Sequence, residues 1–262
     1  MRAGRQRTKP MSIAAIIPAR MASRRFYGKP LKLILGLPMV EHVRRRVCLC
    51  DFLEDVIVAT CDEEIFDEVT RFGGKALMTS AKHESCVDRV AEAAQTSKAE
   101  IIINVQGDMP FVWPESLKAL VEPFDLDRSV RCTDMIGPIH ERSEADNPNV
   151  VKTVVDRQGN ALYYSRAPIP SSKAAASACP ISRNKQFGIN AFRKDFLLAF
   201  TRMPRTALEE TESVDMLRLV ENGYPVRLVS SSLPVIGVDT LRDLENANEM
   251  MRKDPLWPRY RN

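Results

Sequence analysis

Between Pro18 and Pro30 the chain reads PARMASRRFYGKP, and it gathers Arg20, Ser23, Arg24, Arg25, Gly28 and Lys29 in one short stretch. The apolar run Ala14 to Ile17 ends at Pro18, so a buried strand opens into a cation-rich loop of small residues. Such a loop is a place to hold phosphates: backbone N–H groups and a serine hydroxyl donate, while Arg and Lys supply charge. Neither G-x-x-x-x-G-K-[ST] nor G-x-G-x-x-G occurs, so this is no Walker or dinucleotide loop. A basic surface loop is the plain alternative. Two distant aspartates weigh against it. Asp108 follows the apolar run EIIINV and Gln106-Gly107, and Asp239 follows VIGV. A nucleoside triphosphate with Mg²⁺ needs carboxylates for the metal, because hard cations take oxygen ligands. It needs Arg or Lys for the phosphate oxygens that gain charge as pyrophosphate leaves. One cation about 4 Å from one phosphate charge is worth roughly 4 kcal/mol at an effective dielectric near 20. The combination therefore predicts nucleotidyl transfer.

The elements that must bring these groups together read as alternating strands and helices. Ile13 to Ile17, Asp55 to Thr60, Lys75 to Met78 and Glu100 to Val105 are short aliphatic strands. Between them lie a helix opened by Pro38, with Met39, Val43 and Val47 on one face, a helix from Asp62 to Phe72, and one from Ser85 to Gln95. Strand–helix alternation implies right-handed crossovers and a mainly parallel sheet, with ligands beyond the carboxyl ends of the strands. Arg20 and Asp108 both stand just past such ends. From Asn147 the pattern changes: two alternating strands flank Asp156 to Asn160, a hairpin signal. Ala167 to Asn184 reads as a lid or loop, and Lys185 to Phe192 as a strand. Helices are expected over Lys194 to Met203, Thr206 to Asn222 and Leu241 to Lys253, with Pro225 to Val229 a strand. The fold class is α/β: a Rossmann-like, mixed but mainly parallel sheet with a small hairpin excursion.

Composition bounds the reading. The chain has 262 residues, a net charge of +4 and 27% charged residues, values that favour neither nucleic acid nor a membrane surface as partner. No apolar run reaches the roughly 18 residues that span a bilayer. The six cysteines form no C-x-x-C pair, which fits reduced thiols in a cytoplasm rather than a zinc site. Met1 to Pro10 is basic without an apolar segment after it and reads as a disordered start. The triple Arg44-Arg45-Arg46 and Lys152 read as solvated faces, and Glu209, Glu210 and Glu212 as helix N-terminal charge. His42 and His140 read as surface or interior side chains, while His83 stands at a strand end near the site.

Taken together, IIPARMASRRFYGKPL, IVATCDEEIFDEV, FGGKALMTSAKHES, NVQGDMPFV, NPNVVKTVVD, ALYYSRAPIP, LVENGYPVRLV and GVDTLRDLENA resemble the CMP-Kdo synthetase family, the 3-deoxy-manno-octulosonate (Kdo) cytidylyltransferases. The resemblance runs from about Ile13 to Met251, with the motifs in family order. It implies the nucleotide-diphospho-sugar transferase fold: one cytidylyltransferase domain over 13–255 with an excursion near 147–190, a start at 1–12 and a tail at 256–262. It also implies a reaction in which CTP and an acidic sugar give a CMP-sugar for lipopolysaccharide and pyrophosphate, with Mg²⁺, in a cytoplasmic homodimer. By position, Arg20, Ser23, Arg25 and Lys29 match the triphosphate loop, with Arg20, Lys29 and Asp108 in the catalytic group. Gln106 matches a position near the cytidine, Asp108 and Asp239 the metal-binding aspartates, and Arg166 an arginine that meets the acceptor.

The chain departs from the family pattern elsewhere. Ser85-Cys86-Val87-Asp88-Arg89 stands for S-G-T-E-R, Gln186-Phe187-Gly188-Ile189-Asn190 for H-x-G-x-Y, and Asp215-Met216-Leu217-Arg218 for E-Q-L-R. These positions cluster where the family holds its sugar, so the resemblance implies Arg89, Arg166, Gln186, Asn190 and Met216 as the acceptor-binding set. Replacing Gln by Met removes amide donors and an acceptor, and a site built on hydrogen bonds discriminates strongly. An altered ulosonic acid, or a smaller anion such as a phosphonate, stands beside Kdo as acceptor. A non-catalytic nucleotide-binding relative is the rival of another class.

Overall fold

The computed structural model describes residues 11–22, 26–171 and 183–261. Ser23, Arg25, the basic start and most of the loop from Ala167 to Asn184 lie outside the described residues.

β1 (Ile13–Ala19) is buried along its whole length. Its side chains alternate between two cores: Ile13, Ala15 and Ile17 join one, Ala14 and Ile16 the other. That is what a strand covered on both faces requires. β2 (Leu33–Ile34) and β3 (Leu37–Pro38) form a small hairpin in which Leu35 and Gly36 both take positive φ, 47° and 84°. α1 (Met39–Val47) buries Met39, Val43 and Val47 completely. β4 (Asp55–Thr60), α2 (Glu63–Arg71), β5 (Lys75–Met78), α3 (Cys86–Ala94) and β6 (Ile101–Asn104) follow as the alternation predicts. Next come α4 (Pro114–Leu126), β7 (Cys132–Pro138) and α5 (Arg142–Asp146). The hairpin is β8 (Lys152–Val155) and β9 (Ala161–Ser165), and β10 (Asn184–Arg193) is the long strand after the loop. The chain then makes α6 (Lys194–Phe200), α7 (Ala207–Glu212), α8 (Met216–Glu221), β11 (Arg227–Ser230), α9 (Leu241–Met251) and α10 (Trp257–Tyr260).

The sheet order is β11-β7-β10-β6-β1-β4-β5, with β8 on β10 and β9 on β8. Neighbours from β6 to β5 run parallel, as do β11 and β7. β10 is antiparallel to both β6 and β7. This is the mixed, mainly parallel α/β fold that the alternation implies.

Four expectations are corrected. The helix expected over Thr206 to Asn222 is two helices, because Ser213 adopts a left-handed conformation (φ 53°) that breaks it. The triple arginine is not a solvated face. Arg44 and Arg45 pair with buried Glu41, and Arg46 is fully buried, 2.8 Å from Asp254. The Arg46 guanidinium also lies 5.4 to 5.9 Å from the ring centres of Trp113, Phe111 and Tyr260, which ties α1 to α10. Lys152 is buried and donates to the carbonyls of Asn147, Val150 and Arg166, where a solvated face was expected. Glu209 does cap its helix, but it is buried and bonded 2.7 Å from Arg218 Nε; Glu212 ends α7 rather than starting it.

Candidate active site

Three loops build the centre of the site. Gly28 closes the cationic loop in a left-handed conformation (φ 69°), its N–H donating 3.0 Å to the Met21 carbonyl. Lys29 then opens a short 3-10 turn with Pro30 next, which sets the direction of its side chain. Asp108 arrives on the loop after β6. Gly107 has to be glycine: a Cβ there would sit 2.8 Å from the Pro18 carbonyl, so this loop lies directly against the end of β1. The third loop is tied to the second, since the Val238 N–H donates 2.9 Å to the Asp108 carbonyl. Asp239 follows immediately, and Thr240 caps α9 behind it with its side chain accepting from the Asp243 N–H.

These contacts bring Lys29 Nζ to 2.6 Å from Asp108 Oδ2 and 3.0 Å from Asp239 Oδ1. The lysine is 79 and 210 positions from its two partners, so only the fold assembles the trio. Burial disfavours the ammonium, but the charges and hydrogen bonds of Asp108 and Asp239 outweigh it, and its pKa is raised. Lys29 stays a cation. Asp108 Oδ1 is buried without a hydrogen-bond partner, an oxygen still able to accept a ligand.

Beside this trio lies a cleft lined by Pro18, Ala19, Arg20, His83, Ser85, Cys86 and Arg89. Arg20 is exposed at its edge. Arg89 is buried, its guanidinium bonded to Thr79 Oγ1 and to Cys61 Sγ. His83 faces the same cleft and bonds to Glu92. Ser85 caps α3, accepting from the Asp88 N–H at 3.3 Å.

A layer of amides borders the other side. In β10, Gln186 lies opposite Ile136 and Asn190 opposite Asp134, so Phe187, Gly188 and Ile189 bulge between them. The bulge carries the Gly188 carbonyl to Gln106, whose Nε2 donates to it at 3.0 Å. Asn190 accepts from Asn104 at 3.1 Å, and Gln186 Nε2 donates 2.9 Å to Asp134 Oδ2.

The structure therefore brings together Arg20, Lys29, Gln106, Asp108 and Asp239, with Arg89 beside Arg20 and Gln186 and Asn190 beside Gln106. Two expected acceptor residues stand differently. Met216 is fully buried in the hydrophobic core, among the side chains packed under the sheet. The Arg166 guanidinium is spent on backbone carbonyls of Glu212, Pro148 and Ser213, holding β9 to the α7–α8 break. Sequence reasoning missed Asp134, Tyr164 and Asp215. Asp134 is fully buried, and desolvation raises its pKa to about 8 despite hydrogen bonds from Tyr164 and Gln186. Asp215 is raised to about 6 by desolvation and by Glu209. An aspartate inside the mostly apolar CTDMIGP strand is the signal that could have found Asp134.

The sequence profile of the cytidylyltransferase family matches residues 14–231. The chain belongs to the cytidylyltransferases. Within that family it is 43% identical over 251 residues to the 3-deoxy-manno-octulosonate cytidylyltransferase of Geobacter metallireducens, covering 93% of this chain and 99% of that protein. The protein of the same name from Synechococcus elongatus is 42% identical, over 90% of this chain and 96% of its own. Among solved structures, a CMP:2-keto-3-deoxy-manno-octonic acid synthetase complexed with CTP superposes with a TM-score of 0.86 at 36% identity, over 92% of this chain and 99% of that one. At 14% identity and a TM-score of 0.61, a 4-diphosphocytidyl-2C-methyl-D-erythritol synthase from Anaerococcus prevotii shares the fold alone. This cytidylyltransferase is thus an enzyme of the CMP-Kdo synthetase family, as the sequence motifs imply. Among the described residues, no helix is long and apolar enough to cross a membrane.

Proposed function

We propose that this cytidylyltransferase transfers CMP from CTP to 3-deoxy-manno-octulosonate, releasing pyrophosphate. The observation that carries the reading is the meeting of Lys29, Asp108 and Asp239 at hydrogen-bond distance. Relatives above 40% identity that carry the octulosonate name favour that acid over a smaller anion.

The reaction follows from the charges. An acceptor hydroxyl oxygen attacks the α-phosphorus of CTP and gives up its proton to solvent water. A new P–O bond forms, the bond to the bridging oxygen of the β-phosphate breaks, and pyrophosphate leaves with that electron pair. Lys29 and Arg20 supply the positive charge that neutralises the phosphate oxygens as they gain charge. Gln106 is fixed by the Gly188 carbonyl and offers a polar edge to the base end of the nucleotide. The exposed Arg20 and the buried Arg89 place positive charge along the cleft where an acidic acceptor enters.

The donor set suits Mg²⁺. Two carboxylates converge, one with a buried and unpartnered oxygen, and Mg²⁺ is commonly bound by one or two carboxylates plus substrate phosphates and water. Asp108 and Asp239 would hold it, and it would supply Lewis-acid polarisation of the phosphates. Reaction in the cytoplasm belongs to the same reading, in line with the free thiols at Cys48, Cys50, Cys61, Cys86 and Cys132. A homodimer is the assembly we propose, with the β8–β9 hairpin as its contact. That hairpin exposes Leu162 by 57% and Val155 by 38%, and size-exclusion chromatography with light scattering tests it.

The test of the function is pyrophosphate release with CTP, UTP or GTP against a panel of acids that includes Kdo. Release that needs both CTP and Kdo is expected. Turnover with another acid and none with Kdo would overturn the acceptor.

A further inference from the structure

Asp62 stands where a helix cap should stand, yet its side chain does not cap its helix. Its backbone is that of an N-cap: extended (φ −113°, ψ 123°), with the carbonyl accepting the Phe66 N–H at 3.1 Å to open α2. Aspartate is among the residues that turn a side-chain oxygen back onto the first free N–H groups of a helix. Ser85 on α3 and Thr240 on α9 do this. The Asp62 carboxylate makes no such bond. Its Oδ2 instead accepts the Met21 N–H at 2.8 Å, 41 positions away. A helix that forgoes its cap loses stability, and such breaks of a local rule gather where function requires them.

The sheet register explains this reach. β1 and β4 run parallel with Ala19 opposite Thr60, so the two chains leave the sheet side by side and Met21 comes level with Asp62. Thr60 Oγ1 accepts the Asp62 N–H at 3.1 Å and fixes the turn that carries the carboxylate. Met21 is the root of the cationic loop. Its N–H goes to Asp62, and its carbonyl takes the Gly28 N–H at 3.0 Å, which closes the loop on itself. Arg20 precedes Met21, and Lys29 follows Gly28. The Lys29 end of the loop is therefore held by Asp108 and Asp239, and the Arg20 end by Asp62.

We propose that Asp62 is a positioning residue for the phosphates of CTP: it directs its carboxylate to Met21 rather than to α2, so that the cationic loop holds its binding shape before the nucleotide arrives. The proposal rests on the functional reading above, in which this loop takes the triphosphate, and deepens it. A carboxylate accepts a backbone N–H more strongly than a neutral oxygen does, which suits an anchor at the root of a loop. A loop that keeps its binding shape only a tenth of the time binds about tenfold more weakly. Saturating CTP orders the loop again, so the loss falls on KM for CTP and spares kcat. Asp62 acts through the Met21 backbone, and the acceptor is untouched by it.

Three variants of the full-length enzyme separate this role from helix stability. Asp62→Ala removes the anchor and cannot cap α2. Asp62→Ser can cap α2, but its side chain is too short to serve Met21. Asp62→Asn keeps an oxygen at the same reach. We expect KM for CTP to rise about tenfold in both the alanine and the serine variant, with kcat and KM for the acceptor within threefold of the wild type. Inhibition by inorganic pyrophosphate, which meets the same loop, should weaken by about as much. In Asp62→Asn, KM for CTP should lie within threefold of the wild type. Stability should run differently: the serine variant should melt about 2–4 °C above the alanine variant, because it regains a cap. Amide hydrogen exchange at Met21, measured without substrate, should quicken at least tenfold in the alanine and serine variants and stay within threefold in Asp62→Asn. If the alanine variant does not fold, the serine and asparagine variants decide by the same readings. Any of four results would overturn the proposal: KM for CTP within twofold of the wild type in the serine variant, CTP affinity that recovers with Tm from alanine to serine, an asparagine variant as impaired as serine, or unchanged exchange at Met21. A wild type that releases no pyrophosphate from CTP would overturn the functional reading instead, while exchange at Met21 still judges the anchor.

Discussion

Lys29→Met removes the ammonium that bridges Asp108 and Asp239. Their oxygens lie 2.6 and 3.0 Å from the same nitrogen, so they are close to one another once it is gone. At about 5 Å and an effective dielectric near 20, two like charges repel by roughly 3 kcal/mol. The carboxylate side chains are 29% and 42% exposed, so water screens part of this, and about 1–2 kcal/mol remains. For a chain of this size that corresponds to a fall in Tm of about 3–6 °C at low salt. The assay is thermal unfolding at 20 mM and 1 M KCl, because salt of about 1 M shrinks the screening length to roughly 3 Å and should erase much of the deficit. Adding Asp239→Asn to Lys29→Met removes one of the repelling charges and should return Tm to near the wild-type value. It should not return turnover, which Lys29→Met lowers about 100-fold by removing a charge that neutralises the leaving phosphates. A Tm deficit that ignores both salt and Asp239→Asn, or turnover within threefold of the wild type, would refute the reasoning.

Arg46→Met should destabilise by about 3–5 kcal/mol, because it strands Asp254 as a buried unpaired charge; urea unfolding measures it. Replacing Arg46 and Asp254 together by apolar residues should cost less than the single change. His42 is buried and its pKa is lowered to about 4 by that burial, despite its bond to the Ile34 carbonyl. The unfolded chain takes up a proton at His42 near pH 6.5 that the folded chain refuses, so stability falls as pH drops from about 6.5 towards 4. His42→Gln should flatten that part of the pH–stability curve. Arg166→Ala should lower Tm more than it alters catalysis at saturating acceptor, since its guanidinium bonds backbone carbonyls.

The parallel half of the fold was legible because its strands are short, aliphatic and punctuated by Gly and Pro. β4 stands where the pattern of Ile, Val and Ala puts it, as does β6 to within a residue at each end, while β1 starts where expected but runs two residues past Ile17, through Pro18 to Ala19. Lys29, Asp108 and Asp239 were legible as loop residues just past apolar runs, where ligands gather in such sheets. The interior charges were not. Arg46 looks solvated in sequence because its partners, Asp254 and the Val112 carbonyl, are 208 and 66 positions away. Lys152 looks solvated because backbone carbonyls, which no sequence pattern displays, satisfy it. The α7–α8 break rests on one non-glycine residue in a left-handed conformation, Ser213, and no glycine or proline announces it. Met216 and Arg166 matched family positions, yet in this chain one fills the core and the other binds backbone. Alignment to a family position does not carry the direction of a side chain.

The account depends most on the convergence of Asp108 with Lys29 and Asp239. The most direct measurement compares Kdo-dependent pyrophosphate release from CTP by the wild type and by Asp108→Asn, with CTP binding in EDTA measured alongside. The account predicts steady release by the wild type and a loss of about 100-fold or more in the variant, with metal-free CTP binding changed by less than threefold. Near-normal release by Asp108→Asn would contradict it.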